Sequence, residues 1–162
     1  MSEEKQVLEI EEQEAIAKAL IMMIQQCPFV ESQDITTRYE DLNEDYSLGV
    51  FAKQGTVYSK RFITGSFQAQ YVFFIGYRIK PTNDQKKINA EEFLSAIAKW
   101  LEGQKVTYGG VEYLPPAYPA LSDNREILRM ERTTDAFAAT SQQSGTVDYQ
   151  VHMKLEYQKR RQ

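Results

Sequence analysis

Histidine, cysteine and paired carboxylates are the side chains here whose chemistry could make a site, and their neighbours say where each one points. His152 is the only histidine. It lies in the stretch T-V-D-Y-Q-V-H-M-K-L-E-Y, Thr146 to Tyr157. Val147, Tyr149, Val151, Met153, Leu155 and Tyr157 share one parity; Thr146, Asp148, Gln150, His152, Lys154 and Glu156 share the other. Side chains alternate faces along a strand, so His152 is expected on a solvated face between Gln150 and Lys154. Nucleophilic catalysis of the Ser-His-Asp kind needs a histidine oriented by a carboxylate, and His152 reads instead as a surface residue. Cys27 is the only cysteine. One thiol makes no intrachain disulfide, and with one histidine it makes no Cys/His zinc site. Its place on the apolar stripe of a helix marks it as a buried small hydrophobe.

Carboxylates come in neighbouring pairs: Glu11/Glu12, Glu40/Asp41, Glu44/Asp45 and Glu91/Glu92. Two acids hydrolyse glycosides only across a cleft at a set separation, whereas adjacent acids on a helix start or an acidic loop are expected in solvent. The group Glu40, Asp41, Asn43, Glu44, Asp45 is oxygen-rich enough for a hard cation but lacks the D-x-[DN]-x-[DN]-G order of a calcium loop. No G-x-x-x-x-G-K-[ST] occurs, and Gly103 to Gly110 is not G-x-G-x-x-G. No catalytic, cofactor-binding or metal-ligating residue is assigned, and the expectation is a protein that is not an enzyme and carries no cofactor.

The elements that would position these residues follow from periodicity. Ile16, Leu20, Met23, Ile24 and Cys27 form one stripe of a helix over Ile10 to Gln26, stopped by Pro28. The acidic stretch Glu31 to Asp45 reads as loop with one short strand around Ile35 to Tyr39. Three strands follow, Tyr46 to Lys53, Thr56 to Ile63 and Ser66 to Lys80, separated by Gln54-Gly55 and Thr64-Gly65 turns. The third strand has Phe67, Ala69, Tyr71, Phe73, Ile75, Tyr77 and Ile79 on one face. Its other face mixes Gln68, Gln70 and Arg78 with Val72 and Phe74, which points to a second apolar contact, either a neighbouring subunit or a covering segment. A second helix is expected over Asn89 to Glu102, capped by Asn89 with Glu92 three residues on and ended by Gly103. The prolines between Val111 and Pro119 read as an extended connector. A fourth strand over Glu126 to Thr134 and an eleven-residue polar link, Asp135 to Gly145, lead to the last strand. Phe137 is the link's one large apolar group, either an anchor for a partner or tucked back onto the sheet. The order α-β-β-β-α-β-β predicts an α+β domain: an antiparallel sheet of about four to five strands with two helices on one face. No internal repeat is evident.

A chain of 162 residues with 42% hydrophobic content is expected to be one domain, residues 1–162, with 1–9 and 158–162 flexible. No run approaches the roughly 20 apolar residues of a membrane span, and the acidic N-terminal stretch is the reverse of a secretory signal. Sequence-specific nucleic-acid binding needs a basic footprint, which a sequence pI of about 5.2 opposes. Residues 1–45 hold twelve Asp/Glu against three Lys/Arg, a balance of −9. Residues 46–162 hold eleven against sixteen, a balance of +5, which together return the net −4. Such a split describes either a solvated acidic segment or a dipolar subunit whose acidic side meets its neighbour's basic side, head to tail.

Arg132-Thr133-Thr134-Asp135-Ala136-Phe137, Asp148-Tyr149-Gln150-Val151 and Leu155-Glu156-Tyr157 resemble the C-terminal half of tail terminator or minor capsid proteins of tailed bacteriophages. The order helix, three strands, helix, two strands is similar as well. The resemblance implies a structural protein forming a ring, typically of six, on the head-proximal end of a completed tail tube. There it would stop polymerisation and offer the surface that joins the head. Its partners would be other copies of itself, the tail tube protein and a head-completion or connector protein, within the host bacterial cytoplasm during assembly and in the virion tail afterwards. On this reading Glu40, Asp41, Glu44 and Asp45 face a neighbour's Arg129, Arg132 or Lys154, and Val72, Phe74 and Phe137 supply apolar contact. The alternative is another head–tail connector, tail chaperone or protein-binding module acting as monomer or dimer.

Overall fold

Two strands of thirteen residues carry the architecture. In the computed structural model, which describes residues 6–33, 35–42 and 46–161, β4 (Phe67–Ile79) and β9 (Val147–Lys159) pair antiparallel along their whole length, from Phe67 opposite Lys159 to Ile79 opposite Val147. Each is apolar at every second position, and that parity is buried in both. The free edge of β4 is shared by β2 (Ser47–Ala52) and β3 (Val57–Arg61), and the free edge of β9 by β7 (Arg125–Arg132) and β8 (Phe137–Ser141). The short β1 (Thr37–Tyr39) adds to β2 in parallel. The result is one sheet of seven strands, antiparallel but for that pair, in an α+β fold.

Helices α1 (Ile10–Gln26) and α3 (Asp84–Leu101) lay their apolar stripes on the inner face of this sheet. A one-turn helix α2 (Pro28–Glu31) and a hairpin of β5 (Val106–Tyr108) and β6 (Val111–Tyr113) close the side of α3. There Phe29 gathers Phe93, Trp100, Tyr108 and Tyr113 within 6.5 Å between ring centroids. The proline connector follows the same side: Trp100 Nε1 donates to the Leu114 carbonyl (3.0 Å) and Tyr118 Oη to the Leu101 carbonyl (2.7 Å). Gly103, at φ +88°, ends α3, with Gln104 N reaching Lys99 O and Gly103 N reaching Trp100 O.

Several expectations are corrected. The Asp135–Gly145 link contains a strand, β8, and the connector contains the β5–β6 hairpin, because edge and hairpin strands of three to five residues leave almost no periodic signal. Helix α3 begins at Asp84 and is capped by Asn83, whose side chain accepts from Lys86 N at 2.9 Å. Asn89 lies inside the helix, where it accepts from Gln85 Nε2. The last strand runs on to Lys159, and residues 6–8 are seated on β3: Tyr58 N donates to Gln6 O (3.0 Å) and Leu8 N to Thr56 O (3.1 Å).

A repeat is present after all. Moving eighty positions along the chain carries β3 onto β8 and β4 onto β9 residue for residue. Val57 pairs with Gln70 as Phe137 pairs with Gln150, and Gly49 with Gly76 as Arg129 with Glu156. The bulges coincide, between Tyr58 and Lys60 and between Ala138 and Thr140. So do the turns: Gly65 N donates to Phe62 O and Gly145 N to Gln142 O, with φ of +94° and +88°. Between residues 47–79 and 127–159 only Leu48/Leu128, Gly65/Gly145, Gln70/Gln150 and Tyr77/Tyr157 coincide in type. Register, bulge position and turn geometry, which many sequences satisfy, carry the repeat.

Candidate interface

The outer face of the sheet has no helix on it. The parity that points away from α1 and α3 brings Val57, Gln70, Val72, Phe74, Gln150, His152, Lys154 and Glu156 outward. Across β2, β4, β9 and β8 four rings stack in a row. Phe51 lies on Phe74 (centroids 4.7 Å, planes 6° apart), Phe74 on His152 (5.2 Å, 25°), and His152 on Phe137 (5.5 Å, 21°). Phe51 and Phe74 are direct cross-strand partners, as are Phe74 and His152. Phe137 ends the row and is 39% exposed.

His152 is on the predicted face but is wedged between two rings. Lys53 Nζ approaches Nδ1 at 2.6 Å and Gln150 Oε1 approaches Nε2 at 2.9 Å. An ammonium can only donate, so Nδ1 accepts and the proton sits on Nε2, directed at Gln150. Burial lowers the His152 pKa, and the Lys53 charge lowers it further. The imidazole is thus a neutral rung of an aromatic stack. Phe137, open to both readings in the sequence, does both: it folds back onto His152 and keeps an exposed edge.

Two glycines make room at the other end of the row. A Cβ on Gly49 would meet the Asp41 carbonyl oxygen at 2.6 Å and the Phe51 ring at 2.9 Å. One on Gly76 would meet Leu42 Cδ1 at 3.0 Å and Phe51 at 3.2 Å. The chain leaves β1 through Glu40 in the left-handed region (φ 51°), with Glu40 N donating to Val50 O, and crosses the outer face there. Arg78 fastens it: the guanidinium donates to both Asp148 oxygens (2.7 and 2.9 Å) and to the Leu42 carbonyl.

The charged residues expected at the interface separate. Asp41 binds Arg38 at 3.0 Å within its own segment; Glu44 and Asp45 lie outside the described residues. Arg129 donates to both Glu156 oxygens (2.8 and 3.2 Å), and Lys154 lies 3.8 Å from Glu131 and 3.7 Å from Glu156, which closes a cluster of two bases and two acids on the outer face. Arg132 is drawn inward, where its Nε and backbone N both donate to Glu102 at the end of α3. Val72, Phe74 and Phe137 share the outer face; the acidic residues after β1 and Arg129 on β7 sit toward opposite ends of the strand order β1-β2-β4-β9-β7.

A buried ionic group escaped the sequence reading. Glu12, expected in solvent, is 5% exposed and accepts from Arg125 Nε and Nη2 (2.7 and 2.8 Å), Tyr157 Oη (3.0 Å) and Lys159 Nζ (3.3 Å). Burial alone would raise its pKa. The hydrogen bonds from Arg125 and Tyr157 and the two positive charges outweigh that and hold it at about 2. The signal was available: Glu12 is four residues ahead of Ile16 on the apolar stripe. Cys27 is fully buried as expected, and burial pushes its thiol up to about 12.

Among the described residues no group of three or more His, Cys, Asp or Glu is placed to hold a metal ion, and no helix is long and apolar enough to cross a membrane. No protein-family model and no curated protein matches the chain.

Proposed function

We propose that this chain is a structural assembly protein that forms a ring on the head-proximal end of a bacteriophage tail, where it stops tube growth and presents the surface for the head. The observation that carries this reading is the sheet face that has no helix on it, with Val72 and the Phe51–Phe74–His152–Phe137 row opposite the face on which α1 and α3 pack. An apolar row held rigid by stacking and left half open is suited to contact with another protein. The charge division between the first 45 residues and the rest favours a head-to-tail neighbour over a two-fold one, and head-to-tail contacts close into rings. The tail terminator resemblance supplies the identity of the ring, the tube protein and head connector as its partners, and the host cytoplasm and virion as its places of work. The second reading, a connector or tail chaperone working as monomer or dimer, is favoured by the self-neutralised Arg129–Lys154–Glu131–Glu156 cluster, which leaves less charge for a neighbour.

Absolute mass by light scattering across a salt series, with and without assembled tail tubes, is the test. A particle of about six copies that loosens as salt rises supports the ring. A salt-insensitive dimer, or tubes whose length is indifferent to the added protein, refutes it in favour of the second reading.

A further inference from the structure

Within the seven-stranded sheet, the outer edge of β8 is the edge that the described chain leaves without protection. On the opposite side of the sheet, β3 carries residues 6–8 as an added antiparallel segment, and β1 has its Thr37 N–H taken by the Gln25 side chain at 2.7 Å. On β8's own side, β7 has Arg125, Glu126, Arg129, Glu131 and Arg132 and a bulge. Charges and bulges of this kind guard an edge against pairing. β8 reads F-A-A-T-S, every residue of it exposed, and from Thr133 to Val147 the single charge is Asp135.

The internal repeat says what would fit there. β8 is the counterpart of β3, so Ala138 N–H and the Ala136 carbonyl occupy the places of Tyr58 N–H and the Thr56 carbonyl, the two groups that bind residues 6–8. Beside β3, Leu8 turns inward and is 2% exposed. Beside Ala136, just before β8, the corresponding place is empty: a groove of about 780 Å³ opens between α3 and the β5 region, its wall mostly polar and charged, with Glu92, Lys99 and Asp135 around Ala96, Val106 and Ala136. Among the described residues the second unit has no counterpart of residues 6–8 in that place, because β4 passes into α3 through only residues 80–83.

We infer that the β8 edge and this groove form an acceptor for an added strand, and that its occupant is the residue 6–8 segment of a second copy, moved from its own β3. The segment's direction, its two backbone hydrogen bonds and its inward leucine already match the equivalent edge. Each transfer seats the segment on a neighbour's β8 and vacates the donor's own β3 edge, so the number of seated segments stays constant. A donor at β3's side of the sheet and an acceptor at β8's side make the contact head-to-tail, so this deepens the ring reading and rests on it for the ring, though not for the exchange.

Cysteine pairs test it in the purified chain at high concentration. Val7 bridges Val57 in one chain, and Phe137 is the counterpart of Val57, so Val7→Cys with Phe137→Cys should oxidise to covalent multimers. Ala138→Pro on that background removes the outward donor and should abolish them, and Val7→Cys with Thr140→Cys, out of register, should give few. Multimers lost in this pattern support the acceptor. A Val7→Cys/Phe137→Cys chain that stays monomeric on a denaturing gel, or crosslinks as well with Ala138→Pro, overturns it. Tail-length control by the unmodified protein is read separately, so a failed exchange is distinguishable from a failed terminator reading.

Discussion

Glu12 and Arg125 have side chains under a tenth exposed, and each is the other's nearest ionic partner. Removing one partner of a buried pair leaves an uncompensated charge and costs about 3–5 kcal/mol. Arg125→Ala is expected to lose that much in chemical denaturation at neutral pH. Glu12 has its folded pKa at about 2, depressed from 4.5. Its contribution is therefore fully present above about pH 5 and fades as pH falls through the folded value, an effect of roughly 3 kcal/mol. The gap between wild type and Arg125→Ala should narrow on acidification from pH 5 to pH 3; a gap that stays constant would mean Glu12 is not the group that answers to Arg125.

At the scale of elements, the outer face depends on close approach of backbone and ring. Gly49 and Gly76 are direct cross-strand partners, and both lie under the Phe51 ring. Their obstacles differ. Gly49→Ala meets a backbone carbonyl, which moves only with the whole 40–42 crossing, whereas Gly76→Ala meets side-chain ends that can yield. Overpacking of this kind costs about 1–3 kcal/mol, and Gly49→Ala is expected to be the more destabilising of the two. Equal losses in thermal unfolding would show that the crossing segment is not fixed in place. β8 leaves no strand signature in the sequence. Five exposed residues, four of them small, have no buried parity to display, and only the pairing with β9 makes them a strand.

For the whole molecule the relevant quantity is where the charge division falls on the sheet. The acidic segment follows β1 at one end of the strand order and Arg129 lies on β7 at the other. Arg132 is committed to Glu102, which leaves Arg129, 60% exposed at its side chain, as the basic residue best placed for a neighbour. Glu40→Lys with Asp41→Lys is expected to weaken the salt-sensitive assembly, and Arg129→Glu on the same background to restore part of it. Assembly indifferent to the double reversal would sink this pairing.

The sequence by itself determined the α+β class, the inner face of the two long strands, α1 almost to the residue, and the burial of Cys27. Each follows from a period of two or 3.6 sustained over a dozen residues or more. It also marked Val72 and Phe74 as out of place on a polar face. Only tertiary structure decided the rest. The stacking of His152 between Phe74 and Phe137 joins the β8–β9 hairpin to β4, a strand distant in sequence. The Glu12–Arg125 pair spans 113 positions. The repeat rests on register and bulge position, which are properties of pairing between strands and are not written in the side chains of either one.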